Sequence, residues 1–144
     1  MRIVLDASVA IEWFIPGVNP DITARALNVL ELGRSRRVEF IAPDFFWAEV
    51  GNVFTKAVRQ KRWDLAMISA AVADLEALNI VTESAHSLLV RAMDIALAHG
   101  QSVYDTLYVE LALARRVDMI TSDLRLFNAL GARYPVRWLG GFNI

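Results

Sequence analysis

The chain contains no cysteine and only two histidines, His86 and His99. Disulfides, thiolate nucleophiles and cysteine-bound zinc are excluded, and imidazole chemistry has at most two places to occur. Lysine is almost as scarce, with Lys56 and Lys61 set against thirteen arginines. No large charge of either sign is present: 15 Lys and Arg against 16 Asp and Glu leave a formal net charge of -1. That balance argues against non-specific coating of nucleic acid, while leaving room for a local basic patch. No apolar run approaches the ~20 residues of a membrane span. The first apolar run begins so close to Met1 that no secretory leader fits before it. The expected location is cytoplasmic.

What the chain does have is apolar content. With 144 residues, 56% hydrophobic and 22% charged, it should form one domain, 1–144, with an ample core. Short apolar runs at 2–6, 38–42, 79–82, 117–121 and 136–139 read as strands. Helical periodicity fills 9–14, 20–33, 44–61, 64–78, 85–99, 102–116 and 124–130, with Pro43-Asp44 as a start signal and Gly100 and Gly131 as stops. Strands alternating with helices predict an α/β domain with a mostly parallel sheet covered on both faces. There is no repeat, linker or low-complexity segment, and the loops at 16–19 and 34–37 are the expected mobile places.

Two of these strands end on a carboxylate. Ile3-Val4-Leu5 runs into Asp6, and Met119-Ile120 leads through Thr121 and Ser122 to Asp123. Ligands of open parallel sheets bind outside the carboxyl ends of the strands, so the two aspartates share a functional edge if their strands are neighbours. Each also has a plainer use, capping the helix that follows it. In FFWAEVGNVFTKAV, Glu49 falls within the apolar stripe Phe46, Val50, Val53, Phe54 and Ala57, with Asn52 one turn on. A carboxylate there costs several kcal/mol, on the order given by buried ions, unless a cation or strong donors compensate. Asp105 stands near the start of SVYDTLYVELALARR, a helix apolar almost all round and so expected to be buried. The helix dipole alone would favour an acid there, and spacing does not fix which way this helix runs. Four dispersed acids without a lysine or histidine motif beside them suit a hard cation, Mg2+ or Mn2+, and their dispersal excludes an EF-hand. Acids with such a metal form a device for activating water against a phosphodiester.

Taken in order, these pieces resemble a known family. The strand with D-x-S (Asp6, Ser8), the helix with E-x-x-N (Glu49, Asn52), the Tyr104-Asp105 helix start and T-S-D-x-x-x-F (Thr121, Ser122, Asp123, Phe127) make the chain similar to PIN-domain ribonucleases of the VapC toxin type. Each piece alone is common; their order and spacing over the whole length carry the likeness. The resemblance implies a three-layer α/β/α fold around a five-stranded sheet and an acidic pocket that binds Mg2+ or Mn2+ and cuts single-stranded RNA. It assigns Asp6, Glu49, Asp105 and Asp123 to the catalytic site, with Asp6, Asp105 and Asp123 as metal ligands and Glu49 as ligand or water-orienting base. Ser8, Asn52 and Thr121 would hold those carboxylates in place. It also implies a homodimer and a small VapB-like antitoxin that inserts a basic side chain at the acids and silences a growth-inhibiting toxin.

Other features admit two uses. Trp13, Phe14, Trp47 and Trp63 suit either the core or a protein interface. Lys56, Arg59, Lys61 and Arg62 suit a helix C-terminus or a phosphate-contacting rim, and Arg34, Arg36 and Arg37 a solvated turn or an RNA clamp. His86 and His99 read as surface residues at helix ends. Two rival readings stay open: a binding-only PIN-like domain, and a Mg2+-binding phosphoacceptor signalling domain, which would ordinarily need a lysine near the C-terminal part of the sheet. This chain has none after Lys61.

Overall fold

Ile3, Val4 and Leu5 are buried on both faces because their strand lies in the middle of the sheet. The structure is a computed structural model that describes residues 1–142; residues 143 and 144, the last two of the expected domain, lie outside the described residues. Its strands are β1 (Arg2–Leu5), β2 (Glu39–Pro43), β3 (Val81–Glu83), β4 (Met119–Thr121) and β5 (Val136–Trp138). They pair in the order β3-β2-β1-β4-β5, every pair parallel. The helices are α1 (Ala7–Phe14), α2 (Pro20–Arg34), α3 (Phe46–Arg59), α4 (Leu65–Ala77), α5 (Ala85–His99), α6 (Val103–Arg115) and α7 (Leu124–Leu130), and a 3-10 turn closes at Leu139–Gly141. The architecture is the three-layer α/β/α arrangement expected from the alternation of periods.

Strand order decides where a site can form. The chain builds outward from β1 to β2 and β3, then returns to the other side of β1 for β4 and β5. The reversal puts the topological switch point, where ligands of doubly wound sheets bind, at the carboxyl ends of β1 and β4. Register pairs Leu5 with Ile120, and the Asp6 N–H donates to the Ile120 carbonyl at 3.1 Å. The two strands that end on aspartates are neighbours.

Several boundaries differ from the periodicity, each for a local reason. The fourth strand begins at Met119 because Arg116 turns left-handed (φ 55°) and the Val117 N–H closes back on the Ala112 carbonyl, which caps α6. Asn79 also turns left-handed after α4, with φ 53°, and the third strand starts at Val81. Pro43-Asp44 does not open α3. Pro43 ends β2, and Asp44 instead accepts the Ala85 N–H at 3.2 Å, capping α5 from across the sheet edge. α6 is the central helix, with Thr106 through Ala112 buried without a break, wedged between α5 and strands β1, β2 and β4. Gly33 lets α2 close onto β2, since a Cβ there would stand 2.2 Å from the Phe40 ring. Trp13 is committed to the core and donates its indole N–H to the Ala26 carbonyl at 2.8 Å. Phe14, Trp47 and Trp63 pack partly buried against the same core.

Candidate active site

Asp6 occupies the position before α1 with extended backbone (φ -70°, ψ 140°), yet its side chain makes no capping bond. It turns instead to β4. Ser8 Oγ and Thr121 Oγ1 both donate to Asp6 Oδ2, each at 2.6 Å. Those hydroxyls in turn accept backbone N–H groups of the neighbouring strand end: Ser122 to Ser8 at 3.1 Å and Asp123 to Thr121 at 3.0 Å. The result is a polarised relay, amide to hydroxyl to carboxylate, which fixes Asp6 and stitches β1 to β4. Both bonds fall on Oδ2; Oδ1 takes none among the described residues. Asp6 is only 7% exposed, and burial pushes its carboxyl up from the ordinary aspartate range, with Ser8 and Thr121 pulling it down and the Asp105 charge pushing it further up.

Glu49 sits in the first turn of α3, half-buried, and accepts the Tyr108 hydroxyl at 3.1 Å. Burial and then the charge of Asp6 push its carboxyl up to about 7, with Tyr108 opposing and Asp105 adding to the rise. Tyr108 comes from the buried stretch of α6, and burial beside the charges of Asp6 and Glu49 keeps its phenol protonated as a donor. The compensation that Glu49 needs on an apolar stripe is therefore a buried phenol and a raised affinity for its own proton.

Asp105 enters from the first turn of α6, so the N-terminus of that helix points its acid at the strand tips, the orientation that spacing alone leaves open. Burial raises its carboxyl; Ser102 and Arg125 pull it down, and Asp123 pushes it up. Asp123 has both of its possible uses at once. Oδ1 accepts the Leu126 N–H at 3.1 Å and caps α7, while Oδ2 lies 3.3 Å from the Arg125 guanidinium. The same guanidinium nitrogen stands 3.9 Å from Asp105 Oδ2, so Arg125 bridges two of the four acids from a side chain that is 72% exposed.

Asp6, Glu49, Asp105 and Asp123 thus feel one another's charge, but they do not close on one point. Among the described residues no three acidic or imidazole side chains converge tightly enough to enclose a metal ion as they stand. Each carboxylate is drawn to its own partner: Asp6 to two hydroxyls, Glu49 to Tyr108, Asp105 and Asp123 to Arg125. The donor set nevertheless fits a hard divalent cation, being all oxygen, mutually repelling and, among the described residues, paired with one largely exposed positive group, Arg125.

Asn52 does not join the cluster. It is exposed on α3, and its side chain makes no hydrogen bond to any of the four acids among the described residues. The basic clusters stand elsewhere. Lys56 and Arg59 stand in the last turn of α3, roughly 10 and 15 Å along the helix from Glu49 at about 1.5 Å per residue, and Lys61 and Arg62 follow in the turn beyond it. Arg34 to Arg37 precede β2, at the amino edge of the sheet, opposite the acids. His86 is exposed, while His99 is half-buried and shares a 2.9 Å hydrogen bond with the Tyr134 hydroxyl, far from a free surface imidazole. Tyr108 and Arg125 are the site residues that the motifs do not announce. The available signals are a tyrosine three residues after Asp105, on the same helix face, and an arginine within one turn of Asp123.

The fold and site define a doubly wound α/β domain with four acids gathered near its switch point. The PIN domain family model matches residues 3–132, and the chain belongs to that family. PIN domains are nucleases, and they generally use divalent metal ions. Among solved structures the chain is similar to PAE2754 from Pyrobaculum aerophilum, at 16% identity over 90% of this chain and 87% of that one, with a TM-score of 0.60. At that identity the likeness concerns the fold. No curated protein sequence matches the chain. No helix among the described residues is long and apolar enough to cross a membrane.

Proposed function

We propose that this chain is a metal-dependent endoribonuclease that cleaves single-stranded RNA, and that it is the VapC-type toxin of a toxin–antitoxin pair. The observation that carries the nuclease reading is the uncompensated charge at the switch point. Three carboxyls there are raised first by burial and then by neighbouring acids, Asp6 by Asp105, Glu49 by Asp6 and Asp105, and Asp105 by Asp123, while among the described residues the cation paired with the cluster is one exposed arginine. Such a cluster is poor at binding phosphate by itself and good at holding Mg2+ or Mn2+. Asp6, Asp105 and Asp123 would hold the ion. When bound, it supplies the charge that lets an anionic phosphodiester approach the acids and that stabilises the phosphoryl oxygens during displacement.

The chain's own groups divide the remaining tasks. Ser8 and Thr121 hold Asp6 in one orientation through the amide relay, so a ligand oxygen does not have to be reorganised when the ion arrives. Glu49, held by Tyr108 beside Asp6, would take a proton from a water as that water attacks phosphorus, and the leaving oxygen would take up a proton from solvent as the phosphodiester P–O bond breaks. Tyr108 aims Glu49 and remains a donor throughout. Arg125, placed between two carboxylates on a largely exposed side chain, would contact a phosphate oxygen of the substrate.

The toxin role rests on the order of the motifs, D-x-S, E-x-x-N, Tyr-Asp and T-S-D-x-x-x-F, in a chain of 144 residues. It brings with it a small antitoxin partner, a homodimer and a cytoplasmic site of action. Production of the chain alone should arrest growth of a bacterial host, and co-production of the cognate small protein should restore it. Unimpaired growth at high soluble expression, in a host whose RNA the purified protein cleaves, would contradict the toxin role and leave the nuclease reading intact.

A further inference from the structure

Tyr104 is large, exposed and packed edge to face with Phe45, one residue before Asp105. It is the second residue of α6 and 65% exposed, although the helix is buried without a break from Thr106 to Ala112. Its ring is oriented all the same. The centroid lies 5.5 Å from that of Phe45 at an interplanar angle of 82°, and Phe45 lies 5.4 Å from Tyr108 at 83°. Tyr108 donates to Glu49. Three rings therefore step from the buried carboxylates to solvent, each perpendicular to the next. Whichever ring of the Tyr104–Phe45 pair supplies the edge, at least one face of Tyr104 is not covered by Phe45.

Charge gives that face a use. Four carboxylates and one exposed guanidinium offer a polyanion little attraction, and the lysine and arginine clusters stand at the far end of α3 and the opposite edge of the sheet. The ion and Arg125 would act on the scissile phosphate itself, so grip on the nucleotides flanking it has to come largely through uncharged contacts. Stacking of a base on an aromatic ring is such a contact, tolerant of sequence because every base has a π-face, and single-stranded RNA offers unstacked bases. A ring already braced by its neighbour gives up little conformational freedom on binding. We infer that Tyr104, braced by Phe45, is the stacking platform for an unpaired base adjoining the phosphodiester at the acids. The inference rests on the nuclease reading and adds to it a subsite.

The test uses a single-stranded RNA oligonucleotide carrying 2-aminopurine at successive positions, bound to protein in an Asp6→Asn background that does not cut it. With Tyr104, fluorescence should be quenched at one position; Tyr104→Phe should keep the quenching. Tyr104→Ala should lose it and weaken binding by about 5- to 150-fold, the range that base–aromatic stacking spans. Tyr104→Leu, apolar without a π-face, should also lose the quenching, and thermal melts should show all variants folded. In the Asp6 background, Mn2+ affinity measured by calorimetry should be the same with Tyr104→Ala as without it. Unchanged affinity and quenching in Tyr104→Ala, or a leucine variant that behaves like phenylalanine, overturns the platform. Where the Asp6 protein still cuts RNA, those outcomes leave the nuclease reading standing. If that protein neither binds nor cuts RNA, the nuclease reading fails and the platform with it. If Tyr104→Ala impairs only capture of a protein partner, the ring belongs to a protein surface and the inference is wrong.

Discussion

Replacing Glu49 with glutamine should make the metal-free protein more stable at pH 8 but not at pH 4.5. The folded carboxyl titrates near 7 against an ordinary value of 4.5. Below the unfolded value both states carry the proton and Glu49 contributes nothing to the pH dependence. Between the two values the unfolded chain has lost its proton while the folded one keeps it, so stability falls as pH rises, and above the folded value the loss is complete. Two and a half units correspond to ~3.4 kcal/mol at 1.36 kcal/mol per unit, and Glu49 is open enough to solvent that screening reduces this to about 1–2 kcal/mol. Glutamine keeps the shape and can still accept the Tyr108 hydroxyl. The difference in unfolding free energy between Glu49→Gln and the unaltered protein should therefore grow by about 1–2 kcal/mol from pH 4.5 to pH 8. Urea denaturation in EDTA at both pH values measures it, with m-values checked for equality. If the two proteins lose stability in parallel over that range, the carboxylate is not strained by its surroundings and its role as a base poised near neutrality has no support.

Asp6→Asn should abolish cleavage and leave the protein in EDTA as stable as before or more stable by about 1–2 kcal/mol, since one repelling charge is removed. Excess Mn2+ should reverse that order in thermal melts, because the unaltered protein gains RT ln(1 + [L]/Kd) and the variant less. Equal losses of melting temperature in EDTA and in Mn2+ would make Asp6 a purely structural residue. Tyr108→Phe removes the donor that holds the Glu49 carboxyl down, so the rising limb of the pH–rate profile should move to higher pH; an unmoved limb excludes Glu49 as the group seen there. Arg125→Gln should cost only about 0.2–1 kcal/mol in EDTA, as an exposed pair does, while tightening Mn2+ binding in calorimetry by removing a competing cation. Weaker Mn2+ binding in that variant would show that Arg125 supports the ligands instead of occupying their place.

The sequence carried the parts of this site that are local. Asp6 and Asp123 stood out because an apolar run ending on a carboxylate is visible within six residues, and Glu49 because helical spacing put an acid inside an apolar stripe. The alternation of strand and helix gave the architecture, and the structure adds that β1 and β4 are adjacent, which local patterns cannot say. Asp105 was identifiable as a residue but not as a neighbour of Asp6, because two helices intervene between β3 and β4 and their directions depend on packing. Tyr108 was hidden, since a tyrosine in an apolar helix reads as core until its hydroxyl is seen to meet Glu49. Arg125 was hidden for a different reason: residues two apart do not share a helix face, and only a long, exposed side chain lets it return to Asp123 and reach Asp105. Asn52 shows the opposite limit, since the family resemblance implies a supporting role for it that its exposed position does not show. Cap chemistry also misled at Asp44, which serves the helix after the next strand and not the one that follows it.

The most direct test of the account is cleavage of single-stranded RNA by purified, antitoxin-free protein, with several unrelated RNAs, in Mn2+ or Mg2+ and in EDTA, beside the Asp6→Asn variant. Cleavage should require added metal, stop in EDTA and be absent in the variant. Cleavage that persists in EDTA, cleavage by Asp6→Asn at the unaltered rate, or no cleavage of any RNA with Mn2+ would contradict it.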